Sequence, residues 1–312
     1  MNQMKSLNYL FFLLSMLSFV ACEEKMTEEE ISNIGRQPCR KPAEFISQLG
    51  FDASRTAYST EGTQYKGVLL LQAPATSADT AFKKYQHPTW SQHGYMASVT
   101  TDDFGNAYCF PIPVVNTMDH TLKTIHTVYK IDSKTGVMEA FTTLPIIDSS
   151  EGVVPFGMLG IYFDCHGKKL YVSSVGGSTR DKEMGMIYMI DPGTGKIQDQ
   201  FKTGDAVGLC VGGITGEKRL YFGKGRLPEI WSIRLDKKGY FKGDLKFELS
   251  LDQLGPRGDD KARKIRFDQY GNMQIYGVEF NYSLAAQSEK PETFYRFGYN
   301  QLEKKWVLLE TK

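Results

Sequence analysis

Apolar and polar residues alternate along most of this chain, and the alternation is broken at short intervals by turn signals. One unit recurs: an alternating strand, a polar turn with Gly, then a second strand ending in an aromatic. It reads VTTDDFGNAYCF (99–110), IYFDCHGKKLYV (161–172), VGGITGEKRLYF (211–222) and IRFDQYGNMQIY (265–276). Period-two alternation marks half-buried β-strands. Gly105, Gly167, Gly216 and Gly271 stand at matching places, where a tight hairpin calls for positive φ. A second unit follows each time: TVYKIDSKTG (127–136), MIYMIDPGTG (186–195), EIWSIRLDKKG (229–239) and TFYRFGYNQ (293–301). A further strand comes next, as VMEAFTTL, KIQDQFKT, LKFELSL and WVLLE. Four strands joined by turns make one antiparallel propeller blade. The segment 40–93 has room for another unit, with TAYSTEG, KGVLLLQ and TAFKKYQ as its strands. The expected fold is all-β, a β-propeller of four-stranded antiparallel blades, five by repeat count or six if two units have merged. Two stacked β-sandwiches are the rival. The ring is preferred because the repeats run on without a linker and a closed ring leaves no sheet edge to protect.

The N-terminus departs from this pattern. Lys5 precedes an apolar run from Leu10 to Val20, interrupted by Ser15 and Ser18. That run is too short to span a bilayer and fits the apolar core of a signal peptide. It ends Phe19-Val20-Ala21-Cys22, which resembles a lipobox, with Phe19 in place of the usual Leu. The resemblance implies cleavage before Cys22 and a lipid on its sulfur. The stretch EEKMTEEEI (23–31) is acidic and without strand pattern, as a solvated tether would be. It resembles the surface-export signals of Bacteroidetes lipoproteins. The expected organisation is a lipoprotein signal peptide over 1–21, a flexible tether over 22–39 and one propeller domain over 40–312. The expected address is the cell envelope, at the outer membrane, with a periplasmic or an outer-surface orientation left open.

Composition changes this picture little. Hydrophobic residues are 41% of the chain, enough for a large core, and the net charge of +1 supplies no field to attract nucleic acid, so no nucleic-acid partner is expected. With Cys22 lipidated, Cys39, Cys109, Cys165 and Cys210 remain, none in C-x-x-C spacing. Cys109, Cys165 and Cys210 fall in strand-like segments and read as small buried hydrophobes rather than disulfide partners.

The pattern Φ-x-F-D-x-x-G-K-x-L-Y-V followed by I-Y-x-I-D-P-x-T-G-K resembles the propeller superfamily of NHL-repeat, SMP-30/gluconolactonase-like and quinoprotein-like proteins, over about residues 94–300. The lactonase-like members imply an axial divalent metal, held by a Glu, by an Asn in a P-N-G-L stretch and by an Asp after a Y-V strand. Here Pro155-Phe156-Gly157-Met158 puts Phe where Asn belongs, and Leu170-Tyr171-Val172 continues into Ser173-Ser174 rather than Asp. A divalent cation needs charged oxygen ligands. No metal and no cofactor is therefore expected, and the catalytic residues are unknown.

Four segments carry more polarity than turns require: His87–Tyr95, Ser173–Asp181, Gly223–Glu229 and Gly255–Arg266. Lys224 and Arg226 in the third read as solvated surface charges. In an antiparallel blade, the connection after the second strand and the one before the first open on the same face. His93, Arg180, Asp259, Asp260 and Arg263 are thus expected to meet at one mouth of the channel and bind a ligand there. The leading functional expectation is a cell-envelope lipoprotein whose propeller face binds an extracellular small molecule, glycan or protein. A lactonase-like hydrolase with a relocated metal site and a structural partner of an envelope complex are the alternatives.

Overall fold

The computed structural model describes residues 26–36, 41–60, 65–76, 81–112, 124–146, 156–280, 282 and 291–312. The chain is a five-bladed β-propeller. The first blade has, among the described residues, the strands β1 (Thr56–Ser59), β2 (Leu69–Gln72) and β3 (Lys83–Tyr85). Blade 2 is β4 (Met96–Thr101), β5 (Ala107–Pro111), β6 (Thr127–Ile131) and β7 (Met138–Thr143). Blade 3 is β8 (Met158–Asp164), β9 (Lys169–Ser174), β10 (Met186–Ile190) and β11 (Ile197–Lys202). Blade 4 is β12 (Ala206–Gly212), β13 (Arg219–Lys224), β14 (Glu229–Leu235) and β15 (Phe241–Ser250). Blade 5 is β16 (Lys261–Phe267), β17 (Met273–Val278), β18 (Thr293–Asn300) and β19 (Lys305–Thr311). Neighbouring strands in a blade are antiparallel and in chain order. Two short helices, α1 (Glu28–Asn33) and α2 (Glu44–Gln48), precede the strands. Among the described residues no helix is long and apolar enough to cross a membrane.

The core lies between blades, not inside any one of them. Tyr108, Phe110 and Val128 of blade 2 meet Ile161, Phe163 and Val172 of blade 3. Ile187 and Met189 meet Leu209, Val211 and Phe222 of blade 4, and Tyr221 and Ile230 meet Ile265, Phe267 and Ile275 of blade 5. Blade 1 packs on blade 2 through Val68, Leu70 and Trp90. Second strands are therefore far more buried than fourth strands: every residue of β5 is buried, whereas β11 is exposed at most positions.

The recurrent Asp closes the turns. Asp102 accepts the backbone N–H groups of Phe104 and Asn106, and Asp268 those of Tyr270 and Asn272, all at 2.9 Å. Between third and fourth strands Asp132 and Asp191 do the same for Thr135 and Thr194. The four hairpin glycines occupy equivalent turns, but only Gly105, Gly216 and Gly271 have positive φ. In blade 3 the left-handed residue is Lys168, and Gly167 is required for space. A Cβ there would meet Asp164 Oδ2 at 2.5 Å and Lys218 Nζ at 2.7 Å, two partners of a buried ion pair between blades 3 and 4.

Two expectations need correction. The stretch expected as a solvated tether contains α1, closed by a Thr27–Glu30 capping box. The segment that follows lies on blade 4, with the Gly213 N–H bonded to the Ile34 carbonyl. Cys165 is not a small buried hydrophobe in a strand. It sits in a turn and is disulfide-bonded, while Cys109 and Cys210 are buried free thiols pushed up to about 12 by burial. The signal peptide and Cys22 lie outside the described residues.

Candidate functional site

Connections between second and third strands, and between successive blades, open on one face, called here the upper face. The hairpin turns open on the lower face. The blade-to-blade connections leading into blades 2, 3 and 4 are built alike. The residue just before the first strand offers its carbonyl to the residue just after the second: Tyr95 to Ile112, Gly157 to Val175 and Asp205 to Gly225. The first strands of blades 2 to 5 then carry a bulge near their upper ends, at Met96/Val99, Met158/Gly160, Val207/Leu209 and Ala262/Lys264. Bulges aim side chains out of the pleat. In blade 5 the bulge falls at Arg263, and in blade 4 at Gly208, whose Cβ would collide with the backbone of Ala262 and Arg263.

The position before the first strand is Asp205 in blade 4 and Asp260 in blade 5, both fully buried. Asp205 joins loops of three blades. Ser178 from blade 3 donates to its Oδ1 at 2.5 Å, and Tyr282 from blade 5 donates to Oδ2 at 2.7 Å. Arg226 of blade 4 reaches the same Oδ2 at 3.2 Å, lies 4.8 Å from the Tyr282 ring centre and donates to the carbonyls of Thr179, Arg180 and Lys182. Asp260 is held by Arg257 and by the Tyr295 hydroxyl at 2.7 Å. Burial works to raise the Asp260 carboxyl, but hydrogen bonds from Arg257, Tyr295 and Thr293 outweigh it and hold the group below its ordinary range.

Apolar side chains lie beside this polar hub. Phe156 and Leu159 of blade 3 pack with Phe280 and Tyr282 of blade 5, in a cluster joining the two blades' upper connections. Phe156 is thus a packing residue where the lactonase-like resemblance would place a metal-ligating Asn. Ser173, next to the position of the missing Asp, is fully buried and its hydroxyl has no hydrogen-bond partner. Neither residue supplies the charged oxygen that the resemblance would call for. Among the described residues no three His, Cys, Asp or Glu side chains are grouped as a metal ion requires. His126 is buried against Gly176 with Nδ1 unpartnered, and burial lowers its pKa.

The residues expected to meet at one mouth are distributed as follows. Arg180, Asp259, Asp260 and Arg263 lie on upper-face connections or at the upper end of a first strand. Arg180 and Asp259 are exposed, Arg263 pairs with Glu292, and Asp260 is closed off by Arg257. Asp259 pairs with Lys261 at 3.3 Å. His93 is set apart: its ring stacks on Tyr129, centroids 4.3 Å apart, and bonds to the Met138 backbone, on the flank of blade 2. Burial lowers its pKa. Asp205, Arg226 and Tyr282 were not among the expected site residues. Arg226 was expected to be solvated, yet it is the brace of the face. The legible signal was positional: Gly204-Asp205-Ala206 stands before β12 as Asp259-Asp260-Lys261 stands before β16.

A second concavity, a cleft of ≈ 340 Å³, lies on the outer flank between blades 4 and 5, lined by Glu217, Arg219, Asp244, Lys246, Tyr299 and Lys304. The Arg219 guanidinium there is already engaged by Ser232, Glu217 and Asp244.

No protein-family model matches the chain, and no curated protein matches it. Solved structures do. Regucalcin from Agrobacterium tumefaciens, described as a calcium-binding protein, is 13% identical over 82% of this chain and 70% of its own, with a TM-score of 0.49. The Swd1 β-propeller domain of Myceliophteria thermophila is 11% identical over 82% of this chain and 69% of its own, TM-score 0.47. A glucose dehydrogenase is 12% identical over 77% of this chain and 78% of its own, TM-score 0.43.

Proposed function

We propose that this protein is a membrane-tethered binding propeller: exported, anchored by a lipid on Cys22, and holding an extracellular small molecule, glycan or protein on its upper face. The observation that carries the reading is the Arg226 brace. By donating to the carbonyls of Thr179, Arg180 and Lys182, it fixes the loop that bears Arg180 while the Arg180 side chain itself stays exposed. A rigid loop with an exposed guanidinium is pre-organised for a carboxylate or other planar anion, because little ordering cost remains on binding. Arg263, half-exposed at the bulge of β16 and paired with Glu292, stands on the same face. Export is supported by the disulfide at Cys165, since such bonds persist in oxidising compartments.

The test has two readouts. Metabolic labelling with a fatty acid should mark the wild-type chain and not Cys22→Ala; an unlabelled wild-type protein removes the anchor. Binding of the purified protein to a panel of acidic glycans and small carboxylic acids should be found, and should weaken about tenfold or more in Arg180→Ala, the loss of one charge-assisted pair, with the unfolding midpoint unchanged. A panel without hits, or hits indifferent to Arg180 and Arg263, removes the upper-face ligand.

A further inference from the structure

The lower face carries the N-terminal segment. Gly213, in the first hairpin turn of blade 4, has no room for a Cβ because the Ile31 carbonyl occupies it. Arg36 then lies beside Gly271 in the corresponding turn of blade 5. Pro42 and Ala43 lie against Gly105 in that of blade 2, and Phe45 covers Gly136 in the turn between β6 and β7. The same face presents the three most exposed large hydrophobic side chains among the described residues: Leu302 at 96%, Tyr270 at 76% and Phe104 at 68%. Tyr270 and Phe104 occupy the same turn position, just before Gly271 and Gly105. The turn needs no apolar residue there, since the Asp and the Gly close it, and blade 3 places His166 at that position. Leu302 is in the turn between β18 and β19, which reaches the lower face through Gln301 and the Ile214 carbonyl at 3.3 Å.

Single exposed hydrophobics need no explanation. Three that exceed all others, on turn tips of one face, do. The chain itself names the occupant. Cys22 lies four residues before Met26, and four extended residues reach at most about 14 Å. Met26 packs against blade 4, in the layer containing Ile34 and Leu235. A lipid on Cys22 therefore holds the lower edge of blade 4 within about that distance of the acyl chains.

Resting on the anchor proposed above, we infer that the lower face lies on the bilayer surface, with Phe104, Tyr270 and Leu302 entering the headgroup region and the upper face turned away. Aromatic rings suit that depth, having an apolar body and a polarisable or polar edge. Exposed Lys134, Lys238 and Lys304 on neighbouring turns would meet lipid phosphates.

The test uses the lipidated protein, purified from membranes and reconstituted in phosphatidylethanolamine–phosphatidylglycerol vesicles with brominated acyl chains. Phe104→Trp, Tyr270→Trp and Leu302→Trp are compared with Leu227→Trp, an exposed position on the upper face. The lower-face tryptophans should shift to the blue and lose most of their added emission to bromine, and the one at 227 should do neither. If the lipid is present and all four behave alike, the face is wrong and the anchor stands. If mass spectrometry finds no lipid on Cys22, the anchor fails, and the same variants decide the face on the unlipidated chain. Vesicle binding with quenching at the tips would retain it, and lack of binding would overturn it.

Discussion

Arg226 and Asp260 are the residues whose replacement reports most about the upper face. Arg226→Ala leaves the Asp205 carboxylate fully buried with only two hydroxyl donors, Ser178 and Tyr282. Breaking a buried pair from one side costs about 3–5 kcal/mol. Urea unfolding should show a loss of that order, and Asp205→Asn added to it should restore part, since the uncompensated charge is gone. Asp260 makes a pH prediction. Its folded pKa is lowered below the ordinary 3.8, so its contribution to stability is complete above that value and is lost as pH falls through the folded one. Thermal melts followed from mildly acidic pH to below the ordinary carboxylate range should decline less steeply in Asp260→Asn, from a lower starting stability. Equal slopes would mean that Arg257 does not hold the carboxylate as described. Asp205 was readable as a residue type before a strand; its partners were not, because they come from loops of three different blades.

At the scale of elements, two nearby glycines separate packing from backbone conformation. Gly216 has φ of +85° and open space, with nothing within 4 Å, where a Cβ would stand. Gly216→Ala should cost about 1–2 kcal/mol through the left-handed backbone alone, leaving α1 in place. Gly213 has ordinary φ, but its Cβ would lie 1.7 Å from the Ile31 carbonyl. Gly213→Ala should therefore lift the N-terminal segment from blade 4, seen as new protease cleavage within residues 26–36. Cleavage in neither variant would mean that the segment is held elsewhere. The hairpins themselves were legible because strand alternation and turn chemistry are local. The exception is Gly167, where the sequence pattern predicts positive φ and the buried Asp164–Lys218 pair imposes a different constraint. The helix α1 was missed because its acidic face has no apolar stripe: none of its residues is buried, and its place is set by contact with the Gly213 backbone.

At the scale of the whole molecule, the disulfide at Cys165 bears on the proposed lipid anchor. Of five cysteines, Cys109 and Cys210 are free and Cys165 is disulfide-bonded, which leaves Cys22 and Cys39 as candidates for its partner. Both lie outside the described residues. A sulfur bearing a lipid thioether cannot also form a disulfide, so the anchor requires the pair Cys39–Cys165. A non-reducing digest of the mature protein should yield that linked peptide, and Cys165→Ser should lower stability by about 2–4 kcal/mol. A Cys22–Cys165 peptide instead would rule out lipidation.

The sequence alone determined the repeat and its hairpin turns, since each depends on residues a few places apart, and it left the blade count at five or six. It also determined that Phe156 and Ser173 stand where the lactonase-like pattern has Asn and Asp, since that is a matter of residue identity. Only the tertiary structure decided which polar residues share a neighbourhood. Closing the ring brought Ser178, Asp205, Arg226 and Tyr282 to one point, although they come from three blades. It also moved His93 onto the flank of blade 2, because stacking on Tyr129 buries its ring where solvent at the mouth would not. Burial and charge pairing act through space, and an alternating strand pattern carries no record of which blade a loop will lean on.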